Sequence, residues 1–458
     1  MIADLKPYAE YKDSGLPWLG QVPERWSVQR TKWQFRHRKE LNADGNHTNV
    51  LSLTLRGVVN NNPDDPEGLV PKDYRTYQFF AKGDLVFKLI DLENLRTSRV
   101  GLVHEDGIMS SAYVRLVPTS STNMRYFFHQ FYDLYARGIY NQLGEGVRST
   151  LSSSDLLNVG IAIPPPGEQA AIVRFLDWAN GRLEQEIRAK RKVIGLLSEQ
   201  KQVIIHRAVT RGLDPAVALK PSGIPWIGDI PAHWGLLPNR ALLRIRKVLV
   251  GGRHTHYQLL SLTKRGVIVR DLSELRGKFS ADMGTSQEVR SGDLVFCLFD
   301  VPETPRTIGL SAHDGMITGA YTVMECADPE MAKFLELFYI AMDDRKLLSP
   351  IYSGLRNTIP KDRFLGAKTP IPPASERAAI QAAVQNETAI LNQTITRLEL
   401  ETGLLREYRA RLVADVVTGK LDVREAAARL PEEVPLDTVE DAADLGEDLD
   451  IADGEATA

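Results

Sequence analysis

The sequence predicts an α+β protein made of two copies of one mixed α/β domain, separated by two long helices packed as an antiparallel coiled coil with pseudo-twofold symmetry. Three observations lead there. The chain repeats itself with a period of about 208 residues; each repeat switches partway from short β-branched runs to a helical heptad; and the two heptads have matching length and pattern.

The repeat is legible block by block. Ser14 to Trp26 (SGLPWLGQVPERW) returns as Ser222 to Trp234 (SGIPWIGDIPAHW), and LSLTLRGVV at Leu51 returns as LSLTKRGVI at Leu260. KGDLVF at Lys82 matches SGDLVF at Ser291, and Gly101 to Tyr113 matches Gly309 to Tyr321. GVRSTL against GLRNTI, IPPPGEQAAI against IPPASERAAI, and VTRGLD against VTGKLD complete the alignment.

Within each repeat the first part reads as strands and loops: runs such as Leu51 to Leu55, Asp84 to Leu89 and Val159 to Ile163 alternate with Gly, Asn and Pro. From Gly167 and Ser375 a heptad takes over. Ile172, Leu176, Ala179, Leu183, Ile187, Lys190, Ile194, Leu197, Lys201, Ile204 and Ala208 form the first seam. Ile380, Val384, Glu387, Leu391, Ile395, Leu398, Thr402, Leu405, Arg409, Leu412 and Val416 form the second. Both helices follow prolines (Pro164 to Pro166; Pro372 and Pro373) and carry Glu168 or Glu376 in the first turn, where a carboxylate meets the positive helix end. The expected organisation is a mixed domain over 1–166, a helix over 167–212, a linker over 213–222, a second mixed domain over 223–374, a helix over 375–420 and an acidic, disordered tail over 421–458.

Neither helix buries its seam alone, so the two are expected to pack on each other. An antiparallel pairing with matched ends sets Lys201 opposite Glu387, Arg409 opposite Ala179 and position 190 opposite 398. At 1.5 Å per residue each rod spans roughly 65 Å.

Bulk composition narrows the class. The chain of 458 residues is too long for one ordinary core, and with 43% hydrophobic and 25% charged residues it reads as a globular protein with no membrane-length apolar run. The first residues lack the apolar stretch of a signal peptide, and two cysteines, Cys297 and Cys326, make no disulfide framework, so a cytoplasmic location is expected. Residues 431–458 hold eleven Asp and Glu and no Lys or Arg, so without them the net charge of −3 becomes +8. A cationic body suits a polyanionic partner.

Catalytic signatures are missing. Gly144 to Thr150 lacks the lysine of a phosphate-binding loop, and Ile163 to Pro166 lacks the amide and aromatic residues of an amino-methyltransferase motif. No glycine-rich cofactor loop, HExxH or G-x-S-x-G appears, and neither cofactor nor metal is expected. Asp84, Asp91 and Glu93, or Asp293 and Asp300, are the acidic residues from which a nuclease centre would be built, but Gly-Asp before an apolar strand is ordinary turn chemistry. His254 and His256 are spaced like ligands without a third partner and read as exposed loop residues.

With this organisation the chain resembles the specificity subunits of type I restriction-modification systems over nearly all of residues 5–424. The marks are the duplicated G-[LI]-P-W-[LI]-G-x-[VI]-P-x-x-W opening, the Gly-x-Arg-x-Thr block, and the Ile-Pro-Pro-x-x-Glu-[Gln/Arg] helix start, where Arg377 departs from the usual glutamine held by Gln169. The resemblance implies that each mixed domain is a target recognition domain reading one half of an asymmetric two-part site in double-stranded DNA. It also implies that the helices set the spacing, and that two copies of a methylation subunit supply S-adenosylmethionine and the adenine methyltransferase site. Restriction subunits complete the larger assembly, and the chain itself is not an enzyme. A stand-alone nuclease and a coiled-coil scaffold are the competing readings.

Base readout needs Arg, Asn or Gln at base edges, and differing half-sites put the readers where the repeats diverge. Arg56, Asn60, Asn61, Asn62, Lys72, Arg75 and Tyr77 in the first copy oppose Lys264, Arg265, Arg270, Arg276 and Lys278 in the second. Arg148 and Arg356 recur in both copies and are expected on phosphates. Lys32, Arg36, Arg38 and Lys39, with Arg240, Arg244, Arg246 and Lys247, are weaker phosphate candidates. The recurrent Trp18, Trp26, Trp226 and Trp234 read as scaffold rather than stacking platforms.

Overall fold

The computed structural model describes residues 5–55, 57–62, 71–92, 98–143, 150–270, 283–304, 306–354 and 356–431. Its described residues divide into two compact units: those up to Lys190 with 400–431, and Arg191–Glu399. Each unit holds one mixed domain, one half of the first long helix (Pro166–Arg211) and one half of the second (Ala374–Val417).

In the first unit a four-stranded antiparallel sheet runs in the order Phe35–His37, Val114–Pro118, Leu85–Phe87, Val100–Leu102. The helix Met124–Ala136 packs against its last strand. The second unit repeats the order with Arg244–Arg246, Thr322–Glu325, Leu294–Phe296 and Ile308–Leu310, under the helix Pro329–Asp344. A hairpin in each domain, Leu51–Thr54 with Gly57–Asn60 and Leu260–Thr263 with Gly266–Val269, closes a second small core over the sheet. Gly101 and Gly309 make that approach possible: a Cβ at Gly101 would stand 2.6 Å from Leu53 Cδ1, and one at Gly309 2.7 Å from Leu262 Cδ1.

The two helices are antiparallel within each unit. In the first, Arg409 Nη1 meets Glu184 Oε2 at 2.5 Å and Lys190 Nζ meets Glu401 Oε2 at 2.7 Å, so rising numbers on one helix face falling numbers on the other. In the second, Ile205, Ala208 and Val209 share a core with Ile380 and Val384. The register differs from the end-matched expectation. Arg409 faces Glu184 rather than Ala179, and Lys190 faces Glu401 rather than residue 398. Glu387 is exposed, Thr388 is buried with its hydroxyl donating to the Val384 carbonyl, and Lys201 lies instead in the field of Arg306 and Asp344. The physical reason is Glu184: only 7% exposed, its carboxylate needs a cation, which the end-matched register does not bring to it.

Two expected boundaries also move. The segment expected as a linker over 213–222 contains the strand Leu219–Pro221, paired with Asp229–Pro231 as Tyr11–Asp13 pairs with Gln21–Pro23. The segment expected to open a disordered tail at 421 is ordered to Pro431: Asp422 bridges to Lys6, and Val423, Ala426, Ala427 and Leu430 are buried on the first unit. The rest of the acidic tail, 432–458, lies outside the described residues.

His129, on the helix Met124–Ala136, is held neutral by burial and by Arg125, its pKa pushed down to about 4. A histidine that resists protonation only when folded stabilises the fold above its unfolded pKa, near 6.5, and loses that contribution as pH falls toward 4. The first unit is expected to lose up to about 3 kcal/mol over that window. Thermal melts across it should show a shallower loss for His129→Gln.

Candidate nucleic-acid interface

The motifs that mark the repeat turn out to be two sides of one junction. Trp26 and Trp234 are buried, at 0% and 1% exposure. Each indole N–H donates to the first-turn carboxylate of a long helix: Trp26 to Glu168 at 3.0 Å and Trp234 to Glu376 at 3.1 Å. Glu168 also pairs with Arg25 at 2.6 Å and accepts from the Tyr8 hydroxyl, while Glu376 meets His233 at 2.7 Å. The opening motif and the helix start therefore lock domain to helix in both copies. Sequence reading placed these tryptophans in the scaffold, but missed their acceptor; the equal Trp-to-Glu separation in both copies was the available signal.

Asp84 and Asp293, two of the carboxylates considered for a nuclease centre, have structural partners. Asp84 accepts the backbone N–H of Ala81 and pairs with Arg115 at 2.6 Å; Asp293 accepts that of Arg290 and pairs with Arg246 at 3.0 Å. Burial pushes both carboxyls above the usual range, against the pull of those arginines. Glu93 lies outside the described residues, and among the described residues no group of three His, Cys, Asp or Glu is placed to hold a metal.

Among the described residues, the candidate DNA-contacting residues of the first domain lie at the hairpin base, and those of the second at the hairpin tip, at its base and at Arg356. Lys264 and Arg265 are exposed at the tip of the second hairpin; Arg56, Arg148, Arg276 and Lys278 lie outside the described residues. At the hairpin base, Lys72 and Arg75 are exposed and Tyr77 is half-buried against Tyr74, while Arg270 follows the second hairpin with its N–H on the Leu259 carbonyl. Asn60 and Asn61 spend their amides internally, Asn60 on Asn49 and Glu105 and Asn61 on the Ser52 hydroxyl at 2.9 Å; Asn62 is exposed. Arg356 is exposed and its carbonyl accepts from Asp300. Of the weaker phosphate candidates, Arg38 pairs with Glu40, and Arg246 with Asp293 and Glu325.

Lys264 and Arg265, expected among the base-reading residues, stand as two adjacent exposed cations on a two-residue turn. If each neutralises one phosphate, replacing both with Ala is expected to lower the slope of log binding constant against log salt by about 2. A filter-binding titration across salt concentrations reads it directly.

Both long helices carry exposed apolar residues away from the seam. Leu400, Leu404 and Tyr408 repeat every fourth residue on the first unit's segment at 64%, 56% and 44% exposure. Val193, Leu196 and Val203 are similarly open on the second unit, and Leu196, at 57%, is the repeat counterpart of Leu404. Among the described residues no helix is long and apolar enough to cross a membrane.

Comparison with known proteins agrees with this geometry. Residues 56–190 match the family model described as the type I restriction modification DNA specificity domain. A solved chain from a study of complex assembly and conformational transition of the type I R-M system covers 87% of this chain and 99% of its own length at 11% identity, with a TM-score of 0.55, and so shares the fold. The HsdS subunit from Thermoanaerobacter tengcongensis (14% identity, TM-score 0.37, 87% and 98% coverage) and the S subunit from M. genitalium (11%, 0.33, 86% and 96%) also match. No curated protein sequence matches the chain. The sheet order of the domain that holds most of the matched segment occurs twice in the chain. Over residues 56–190 the chain is similar to type I restriction modification DNA specificity domains, and over most of its length it shares the fold of a solved chain of the type I R-M system.

Proposed function

We propose that each mixed domain reads one half of an asymmetric, two-part site in double-stranded DNA, that the paired helices set the spacing between the halves, and that two copies of a methylation subunit dock on the chain. The observation that carries this reading is the duplication itself: one sheet order occurs twice, with diverged cationic loops around a constant scaffold. One scaffold with two loop sets suits two unequal half-sites, and near-equivalent helix surfaces suit two copies of one partner. In this reading the chain acts in the cytoplasm and contributes recognition alone. Methylation, cleavage and translocation belong to the methylation and restriction subunits.

The exposed Leu196 and Leu404 are the proposed centres of the two docking surfaces, since open apolar positions in a stripe mark an interaction site more often than isolated ones. Leu404→Glu is expected to reduce the methylation subunits retained on co-purification from two to one, and the double variant with Leu196→Glu to retain none. Full retention by the double variant would place the docking elsewhere. The reading as a whole is tested by selecting duplexes from a random pool with the co-purified complex: two conserved blocks separated by an unread spacer are expected, and a single block or no enrichment would refute it.

A further inference from the structure

In each domain, two short loops are clamped together at the hairpin base by the same backbone hydrogen bond. Asn42 N–H donates to the Tyr77 carbonyl at 2.9 Å in the first domain, and Val250 N–H to the Ser286 carbonyl at 3.0 Å in the second. These are equivalent residues of the repeat. The clamp joins the loop after the sheet's first strand, 42–47 or Gly251–His256, to the 3-10 turn before the next pair, Tyr74–Thr76 or Met283–Thr285.

The chemistry of the two loops is exchanged between the domains. In the first, the leading loop carries Gly45 and the trailing turn Arg75, whose Nε lies 3.4 Å from where a Cβ on Gly45 would stand. In the second, the residue three places after the clamped Val250, as Gly45 is after Asn42, is Arg253, and the residue two places before Ser286, as Arg75 is before Tyr77, is Gly284. One arginine and one glycine are thus present at each clamp, with the arginine supplied from opposite sides. Both arginines are exposed, and among the described residues no ion pair engages either guanidinium. Arg253 is held 6.0 Å over the ring of Tyr257, whose hydroxyl is fixed by Glu288 at 2.9 Å. A guanidinium with uncommitted donors, oriented by a ring or by the facing loop, is prepared for the O6 and N7 acceptors of guanine. The glycine opposite leaves room for the approach.

We propose that Arg75 and Arg253 are the guanine-reading residues of the first and second half-sites. This rests on the two-half-site reading above. The exchange from one loop to the other gives each guanidinium a different line of approach, so the two domains place their guanine at different positions within the half-site.

The test uses the full chain co-purified with its methylation subunit and duplex selection as the readout. Arg253→Lys keeps the charge and removes the bidentate fork. It is expected to relax preference at one guanine of one half-site by about 10-fold or more, leaving the other half-site and the salt slope unchanged. Arg75→Lys should do the same in the other half-site. Both residues are exposed, so unchanged melting temperatures serve as the folding control. If Arg253→Ala and Arg75→Ala weaken binding equally on every sequence while the two Lys variants bind and select as the wild type does, the arginines are phosphate anchors and the proposal is overturned, as it is by unchanged selection in all four variants. A wild-type complex that selects no two-part site would defeat the underlying reading instead, and that arm is scored before any variant.

Discussion

Trp26→Ala is expected to unfold the first unit while leaving the second intact. The indole is fully buried, packs edge-on against Tyr8 at 5.9 Å between ring centres, and donates to Glu168. Truncating a buried tryptophan costs about 3–5 kcal/mol, a large fraction of a domain's stability. The buried Glu168 carboxylate would also lose a donor, and removing one partner of a buried group costs roughly 1–3 kcal/mol more. Trp26→Phe helps to separate the two contributions: it keeps most of the buried ring volume and gives up the N–H. Calorimetry should show an early transition for the Ala variant, a smaller shift for Phe, and for Trp234→Ala the same loss in the second unit. A folded Trp26→Ala protein with altered sequence preference would mean that this aromatic reads DNA.

Arg409→Ala is expected to destabilise the helix pair by roughly 3 kcal/mol, because it strands Glu184 in a site from which water is largely excluded. The cost lies in the uncompensated carboxylate more than in the lost attraction. Removing both partners, as Glu184→Gln with Arg409→Met, should therefore be milder than Arg409→Ala alone. A double-mutant cycle measured by denaturant unfolding checks this, and strictly additive losses would contradict the pairing.

How much of this was legible in the sequence follows from which interactions are local. The repeat announces itself because both copies must bury the same residues: Leu51, Leu53, Val86 and Phe87 recur as Leu260, Leu262, Val295 and Phe296 with the same burial. The heptads are equally plain, since a helix shows its seam every turn. Register was not legible. Sliding one rod along another preserves the apolar pattern, and the choice falls to one buried carboxylate, Glu184, that lies off the apolar seam. The second strand set was half-visible: Leu219–Pro221 is too short and too proline-flanked to read as a strand without its partner at Asp229–Pro231.

The interface was legible by type more than by residue. Cations at the hairpin tip and base stood out because the repeats diverge there, yet whether a side chain is committed elsewhere depends on tertiary neighbours. Asn60 and Asn61 look like adenine readers in sequence and are occupied by Glu105, Asn49 and Ser52 in the fold. Arg253 stood beside two histidines that drew attention for their spacing. Its relation to Arg75 emerges only once the clamp of Asn42 on Tyr77 and Val250 on Ser286 aligns the two loops.

The most direct measurement of the central claim is adenine methylation mapped across DNA from cells expressing this chain with its methylation subunit, beside cells lacking the chain. A two-part motif with an unread spacer, present in the first and absent from the second, is the expected result. Methylation that persists unchanged without the chain, with the subunit shown to be active and bound in its presence, would contradict it: something other than this chain would then be choosing the sequence.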